Sequence, residues 1–256
     1  MNYEAYLARI GYSGERQPTL EVLQQLQKRH LLTIPFENLD IHNGIPVELD
    51  VEKIFDKVVL QKRGGFCYEL NGLYFELLSA FGFDVKRISA KVYSASKGTY
   101  SPEYDHLALL VTIKGEEYLT DVGFGEFSFA PLKIELNQVQ ADARGNYVFD
   151  KYDERYYRVS RMENGELRPE YIFRKTARAF DEFGGMCHFH QTDPSSHFRQ
   201  RSMITLPTEQ GRITLTENKL KIKEGDLIKE IPLKDATEYE AYLWEYFGVK
   251  PTGRNN

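Results

Sequence analysis

Two glycines placed directly before a helical repeat constrain this chain more than any other stretch. The run Arg63-Gly64-Gly65-Phe66-Cys67-Tyr68-Glu69-Leu70-Asn71 leads into apolar residues at Leu70, Leu73, Tyr74, Leu77, Leu78 and Phe81, which share one helical face. Gly82 follows as a stop. Glycines at that point let the backbone turn sharply and bring another group close. The Cys67 thiol therefore stands at a helix N-terminus, where unsatisfied N–H groups and the helix dipole favour the thiolate. A thiol so placed is built to act as a nucleophile.

Composition sets the frame around it. A chain of 256 residues with 41% hydrophobic content buries a sizeable core in one or two domains, or in three small ones. A net charge of −5 carries no footprint for nucleic acid or an anionic membrane. The clean apolar runs, such as Leu107 to Val111, are far short of a membrane span. The start, Met1-Asn2-Tyr3-Glu4-Ala5-Tyr6, has an early acid and no apolar signal region. Two cysteines make no disulfide framework. The expected setting is soluble, reducing and cytoplasmic, which keeps a reactive thiol reduced.

The first third reads helical. Pro18-Thr19 starts a segment with Leu20, Leu23, Leu26 and His30 on one face, and Pro35 bars its continuation. Short β runs follow at Val85–Tyr93, His106–Ile113, Glu117–Phe124 and Tyr156–Arg161, separated by turn residues at Lys114-Gly115, Gly145-Asn146 and Asn164-Gly165. Further strands are expected at Met203–Leu206, Arg212–Thr216 and Leu220–Lys223. A last helix opens on the capping box Thr237-x-x-Glu240 and stops at Gly248. The layout is α+β, with a helical region over 1–84, a mostly antiparallel sheet over 85–190 and a small mixed segment over 191–256.

Within the sheet, His106–Ile113 and Glu117–Phe124 read as a hairpin turning at Lys114-Gly115. A loop of two or four residues sets His106 opposite Gly123 and Ala108 opposite Asp121, all four on one face. His106 and Asp121 are then diagonal neighbours roughly 7–8 Å apart at the backbone, within side-chain reach. A three-residue loop sends them to opposite faces. An imidazole oriented by a carboxylate is what a cysteine nucleophile needs.

Each residue alone also fits a structural role: Cys67 as a small packed residue, His106 as a core polar group, Asp121 as a turn former. Their order, and the pairing of two of them on one hairpin beside a helix-opening thiol, favour catalysis. Met186-Cys187-His188-Phe189-His190 looks like a metal tract, but its donors cannot close a tetrahedral site and no second Cys/His pair is suitably spaced. A loop or strand without metal is expected there. His30 and His42 read as packing or surface residues, and Glu69 and Asn71 as partners for backbone around the helix start.

At these positions the chain closely resembles the arylamine N-acetyltransferases. The matching residues are Arg63 to Asn71, then Asp105-His106-Leu107, then Asp121-Val122-Gly123-Phe124-Gly125, with Ile34-Pro35-Phe36-Glu37-Asn38-Leu39 upstream. Thr192-Asp193-Pro194-Ser195-Ser196-His197-Phe198 matches a later motif less closely. The resemblance runs over essentially the whole length. It implies an N-terminal helical domain, an antiparallel β-barrel-like domain and a small C-terminal α/β lid, on a triad scaffold related to cysteine proteases and transglutaminases. It also implies that Cys67 is the nucleophile, His106 the base and Asp121 the orienting acid.

The implied reaction is ping-pong transfer of an acetyl group from acetyl-CoA, through an acetyl-cysteine, to arylamines, arylhydrazines or N-hydroxyarylamines. Acetyl-CoA is the donor substrate, and no metal is required. A flat acceptor calls for an aromatic pocket, for which Phe36, Phe124 and Phe198 are the candidates within the motifs. Gly123 and Gly125 are candidates to let backbone approach the cofactor. The Cys67 N–H is a candidate oxyanion donor, a role worth roughly 3–4 kcal/mol in well-studied hydrolases. No nucleic-acid or membrane partner is expected, and the chain is expected to be a monomer or weak homodimer. An amide synthase of the same fold, a papain- or transglutaminase-like hydrolase and a non-catalytic binding module are the competing readings.

Overall fold

The computed structural model describes residues 1–250, so 251–256 of the expected C-terminal segment lie outside the described residues. The fold is α+β, and its chain divides into two compact units. One is built from Ser13–Lys28 and Cys67–Met186, the other from Met1–Tyr12, Arg29–Phe66 and the chain from Cys187 onward.

The first unit is organised by a long antiparallel sheet. In space its strands run Leu132–Lys133, Glu116–Thr120, His106–Ile113, Asp84–Ser94, Glu166–Phe173, Tyr157–Glu163, Gly145–Lys151 and Val139–Asp142, with Thr99–Tyr100 paired beside Asp84–Ser94. The two ends approach each other, because the Gln140 side-chain amide donates to the Lys133 carbonyl at 2.7 Å. The sheet thus nearly closes into a barrel, which leaves little exposed edge. Alternate residues fill the interior, among them Ile88, Ala108, Leu110, Phe149, Tyr171 and Phe173.

The hairpin carrying His106 adopts the two-residue loop. Lys114 and Gly115 both have positive φ, +51° and +83°, as a type I′ turn requires. Leu109 pairs with Thr120 and Ile113 with Glu116, the expected register. The second strand spans Glu116–Thr120 instead of reaching Phe124. Asp121 therefore sits just past the end of the ladder, immediately before a bend over 122–126.

The helix Cys67–Ala80 starts and ends where the apolar spacing predicts, with Gly82 left-handed at φ +79°. Leu70, Leu73, Tyr74, Leu77 and Leu78 are buried, and the helix lies against the Asp84–Ser94 and His106–Ile113 strands. Strands Val139–Asp142, Gly145–Lys151, Glu166–Phe173 and Leu227–Pro232 lack a matching expectation. In the third of these, Pro169 interrupts the ladder at a register shift and disguises the alternation.

The second unit holds a five-stranded sheet in the order Phe36–Glu37, Met203–Thr208, Gly211–Thr216, Lys219–Glu224 and Leu227–Pro232. Helix Ala236–Phe247 packs Leu243 and Phe247 against Ile204, Leu215 and Leu220. Its N-cap is Asp235, which accepts from the Glu238 N–H, so the helix begins earlier than a box at Thr237 implies. Its end at Gly248, φ +62°, is as expected.

The same unit explains the residues ahead of Cys67. Glu37 takes two hydrogen bonds from Arg63, at 2.8 and 3.1 Å, and Arg63 also donates to Asp40 at 2.7 Å. Burial opposes the charge on Arg63, but Glu37 and Asp40 outweigh it and raise its pKa. A Cβ on Gly64 would lie 2.0 Å from the Pro35 carbonyl oxygen, so the first glycine is required by close backbone approach. His30 is buried against the Tyr6 hydroxyl at 2.8 Å. Among the described residues, no helix is long and apolar enough to cross a membrane.

Candidate active site

Asp121 is the hub of the buried polar cluster in the barrel unit. Its Oδ2 accepts from His106 Nε2 at 2.7 Å and from the Tyr171 hydroxyl at 3.0 Å. Its Oδ1 accepts from the Asn71 side-chain amide at 2.8 Å and from the Gly123 N–H at 2.9 Å. Asp121, His106 and Asn71 are all buried. Four donors on one desolvated carboxylate hold it in a single orientation. Because Nε2 faces Asp121, Nδ1 is the ring nitrogen available for proton exchange with a reactant.

Tyr171 keeps its proton in this arrangement. Burial pushes its pKa well above the usual 10, and the neighbouring Asp121 charge pushes it the same way. It acts on Asp121 as a fixed donor. Phe124 stands against the histidine ring, with centroids 5.0 Å apart, and against Tyr171 at 4.8 Å. The imidazole is thereby held at one edge by a carboxylate and on its flanks by rings.

The Asp121–Gly125 bend also meets the start of the Cys67 helix. A Cβ on Gly123 would stand 2.8 Å from Cys67 Cα and 2.9 Å from the Asn71 amide nitrogen, so only glycine lets the two backbones come this close. Asn71, one turn into the helix, strengthens the junction. Its amide nitrogen donates to the Leu107 carbonyl at 2.7 Å, and its amide oxygen accepts the Val122 N–H at 3.0 Å. Asn71 therefore serves the acid and its loop, not the backbone at the helix start. The Gly123 N–H is committed to Asp121. Gly125 is left-handed at φ +61°, with open space where a side chain would stand.

The remaining predicted residues lie in the other unit. Phe36 and Phe198 face each other at 6.0 Å, and Phe66 meets Phe198 edge-on at 5.8 Å. The Phe198 carbonyl is held by the Asn38 amide at 2.9 Å and by His42 Nε2 at 2.8 Å. The tract around Cys187 forms the helix Gly184–Thr192, where a loop or strand was expected, and Cys187 and His190 are its buried positions. Two leading glycines mask that helix in the sequence. Among the described residues, no three His, Cys, Asp or Glu side chains gather as metal ligands. Sequence reasoning missed Tyr171, whose strand is broken by Pro169, and gave Asn71 a purely local role.

Comparison with known proteins accords with this architecture. The sequence profile of the N-acetyltransferase family matches residues 19–254. The arylamine N-acetyltransferase pineal gland isozyme NAT-10 of Gallus gallus is 33% identical over 274 residues, covering 97% of this chain and 94% of that protein. The structure of Mycobacterium marinum arylamine N-acetyltransferase in complex with CoA is 34% identical, with a TM-score of 0.88 over 97% of this chain and 93% of that one. A Bacillus cereus arylamine N-acetyltransferase, NAT3, described as having a Cys-His-Glu catalytic triad, is 26% identical with a TM-score of 0.90 over 98% and 100% of the two chains. An α+β fold with a nearly closed antiparallel barrel is common to this chain and these solved structures. The chain belongs to the arylamine N-acetyltransferase family. It is an acetyltransferase enzyme.

Proposed function

We propose that this enzyme moves an acetyl group from acetyl-CoA to arylamines, arylhydrazines or N-hydroxyarylamines by a ping-pong route, with Cys67 as nucleophile, His106 as base and Asp121 as orienting acid. The observation that carries the reading is the buried 2.7 Å contact of His106 Nε2 with Asp121, on a loop packed against the backbone of Cys67. The CoA complex of the Mycobacterium marinum relative supports the donor, and the Cys-His-Glu triad of the Bacillus cereus relative supports a Cys-His-acid arrangement. Here the acid is an aspartate, one methylene shorter.

In the first half-reaction the Cys67 thiolate attacks the thioester carbonyl carbon, and the tetrahedral intermediate collapses to acetyl-cysteine and the coenzyme A thiolate, which takes a proton from His106. In the second, the acceptor nitrogen attacks the acetyl carbon while His106 Nδ1 takes its proton, and the Cys67 thiolate is released with the acetylated product. Asp121 fixes the imidazole tautomer and stabilises the imidazolium without itself taking the proton. The Cys67 N–H at the helix start is the proposed donor to the developing oxyanion.

Phe124, beside the base, is the proposed acceptor contact, and Phe36 and Phe198 retain that proposed role on the motif resemblance. Gly125 is the proposed point of cofactor approach. Gly123 contributes by clearing space beside Cys67, since its N–H is already used. The division of labour along the chain follows the sequence: nucleophile within 1–84, base and acid within 85–190, and a lid in 191–256. We place the enzyme in the cytoplasm as a monomer or weak homodimer.

Incubation with acetyl-CoA followed by intact-mass measurement tests the reading. The expected result is an acetyl adduct that maps to Cys67, is discharged by an added arylamine and is absent in Cys67→Ser. No adduct, together with turnover of a peptide or glutamine amide, overturns it in favour of a hydrolase.

A further inference from the structure

Tyr104, two residues before His106, has φ +67°, a left-handed conformation rare for a residue with a side chain. Such a posture persists only where the surroundings over-determine it. Here they do so from three sides. The Tyr104 N–H donates to Ser89 Oγ at 2.8 Å, and Ser89 Oγ donates in turn to Glu103 at 2.7 Å. The Tyr104 hydroxyl donates to Glu182 at 2.8 Å, and its ring meets Phe183 edge-on at 5.2 Å. The third restraint comes from Tyr68, the residue after the nucleophile. Its hydroxyl donates to the Tyr104 carbonyl at 2.7 Å and also reaches the Asp105 carbonyl at 3.2 Å.

Tyr68 is a buried residue whose ring packs near Phe183, with centroids 5.8 Å apart. Packing alone is satisfied by phenylalanine, so the hydroxyl needs another explanation. It ties the first turn of the Cys67 helix to the main chain that delivers His106. Asp121 fixes the far edge of the imidazole through Nε2. We infer that Tyr68, through the left-handed Tyr104–Asp105 turn it holds, is a positioning residue that sets the backbone of His106 relative to Cys67. The role rests on the acetyl-transfer reading above and adds to it. Catalytic geometry that slips by about 1 Å loses on the order of a hundredfold in rate, so a partial slackening is expected to cost about tenfold.

The test compares Tyr68→Phe with wild type in two measurements, the rate of Cys67 acetylation by acetyl-CoA and the pH profile of Cys67 alkylation by iodoacetamide. The expected result is acetylation about tenfold slower with little change in acetyl-CoA KM, and an alkylation profile displaced to higher pH as the imidazolium moves off the thiolate. Identical rates and profiles overturn the inference. Tyr104→Gly and Tyr104→Val provide a second test that does not depend on Tyr68→Phe folding. Both lose the ring contacts, but only valine resists positive φ. Acetylation in the valine variant several-fold below that in the glycine variant is expected, and equal losses in the two refute a backbone role. Absence of an acetyl adduct in wild type would instead fault the parent reading. An adduct in wild type with no response in these variants faults only the positioning role.

Discussion

Replacing Gly123 with alanine adds one methyl group where the structure leaves no room for it. The new Cβ would lie 2.8 Å from Cys67 Cα, 2.9 Å from the Asn71 amide nitrogen and 3.2 Å from the Cys67 carbonyl oxygen. Ordinary carbon contacts begin at about 3.5 Å, so relief requires a shift of roughly 0.7 Å. Neither neighbour yields easily. One is main chain at a helix start, and the other is an amide already bound to Asp121 and to the Leu107 carbonyl. Overpacking of this kind costs about 1–3 kcal/mol, or ~2–12 °C in Tm at 2–4 °C per kcal/mol for a chain of this size. The larger effect falls on chemistry, because the same displacement separates Cys67 from the loop carrying Asp121. A shift near 1 Å costs on the order of a hundredfold in rate. Gly125→Ala supplies the control: nothing stands within 4 Å of its Cβ, but φ is +61°. It incurs about 1–2 kcal/mol of backbone strain without pressing on Cys67, and its kinetic effect is expected in acetyl-CoA KM. Rapid-quench measurement of the acetyl adduct, beside thermal melts, reads both variants. Wild-type acetylation in Gly123→Ala, or a greater slowing at saturating acetyl-CoA in Gly125→Ala, would refute the reasoning.

Asp121→Asn places an NH₂ among four donors, so turnover should fall by on the order of 10⁴, as in a comparable hydrolase triad; near-normal turnover would show that another acid orients His106. Tyr171→Phe removes one of those donors and should cost about 1–2 kcal/mol in chemical denaturation, with a loss of turnover smaller than that of Asp121→Asn; an unchanged denaturation midpoint counts against its bond to Asp121. Glu37→Ala strands the buried Arg63 guanidinium with Asp40 alone and should destabilise by about 3 kcal/mol, read in the same way; a loss below about 1 kcal/mol argues against the network. His30 is held at about 3, below its ordinary 6.5, by burial and then by the Arg9 charge. The unfolded chain therefore gains a proton below pH 6.5 that the folded chain refuses until about 3, and stability falls as pH drops through that window while staying intact above it. The penalty is about 3 kcal/mol at pH 4.5, and His30→Gln should flatten that part of the stability–pH curve; an unaltered curve would exclude His30 as its source.

The hairpin was legible because its geometry is local. A two-residue Lys114-Gly115 loop with both φ positive fixes the register, and alternation then sends His106 and the Asp121 side to one face. Where the ladder stops is not a local matter. The second strand ends at Thr120 because the chain beyond it turns to meet the Cys67 helix, a meeting that periodicity in either segment does not announce. Asn71 illustrates the same limit. Its place one turn past Cys67 is plain from the spacing, but its partners at Leu107 and Asp121 are 36 and 50 residues away. Tyr171 was hidden twice, by Pro169 within its strand and by a separation of 50 residues from the carboxylate it serves.

These losses have one physical origin. A strand position offers a carboxylate neighbours on its own face only, whereas Asp121, just beyond the ladder, takes donors from a helix, its own turn and two strands. Two of those strands, His106–Ile113 and Glu166–Phe173, are separated by Asp84–Ser94 in the sheet, so Tyr171 reaches Asp121 across the barrel interior and not along a ladder. The length of the tyrosine side chain spans that intervening strand and brings the hydroxyl within 3.0 Å of the carboxylate. The Cys-His-Asp pattern is written in short motifs, but the carboxylate is held by donors from elements far apart in sequence.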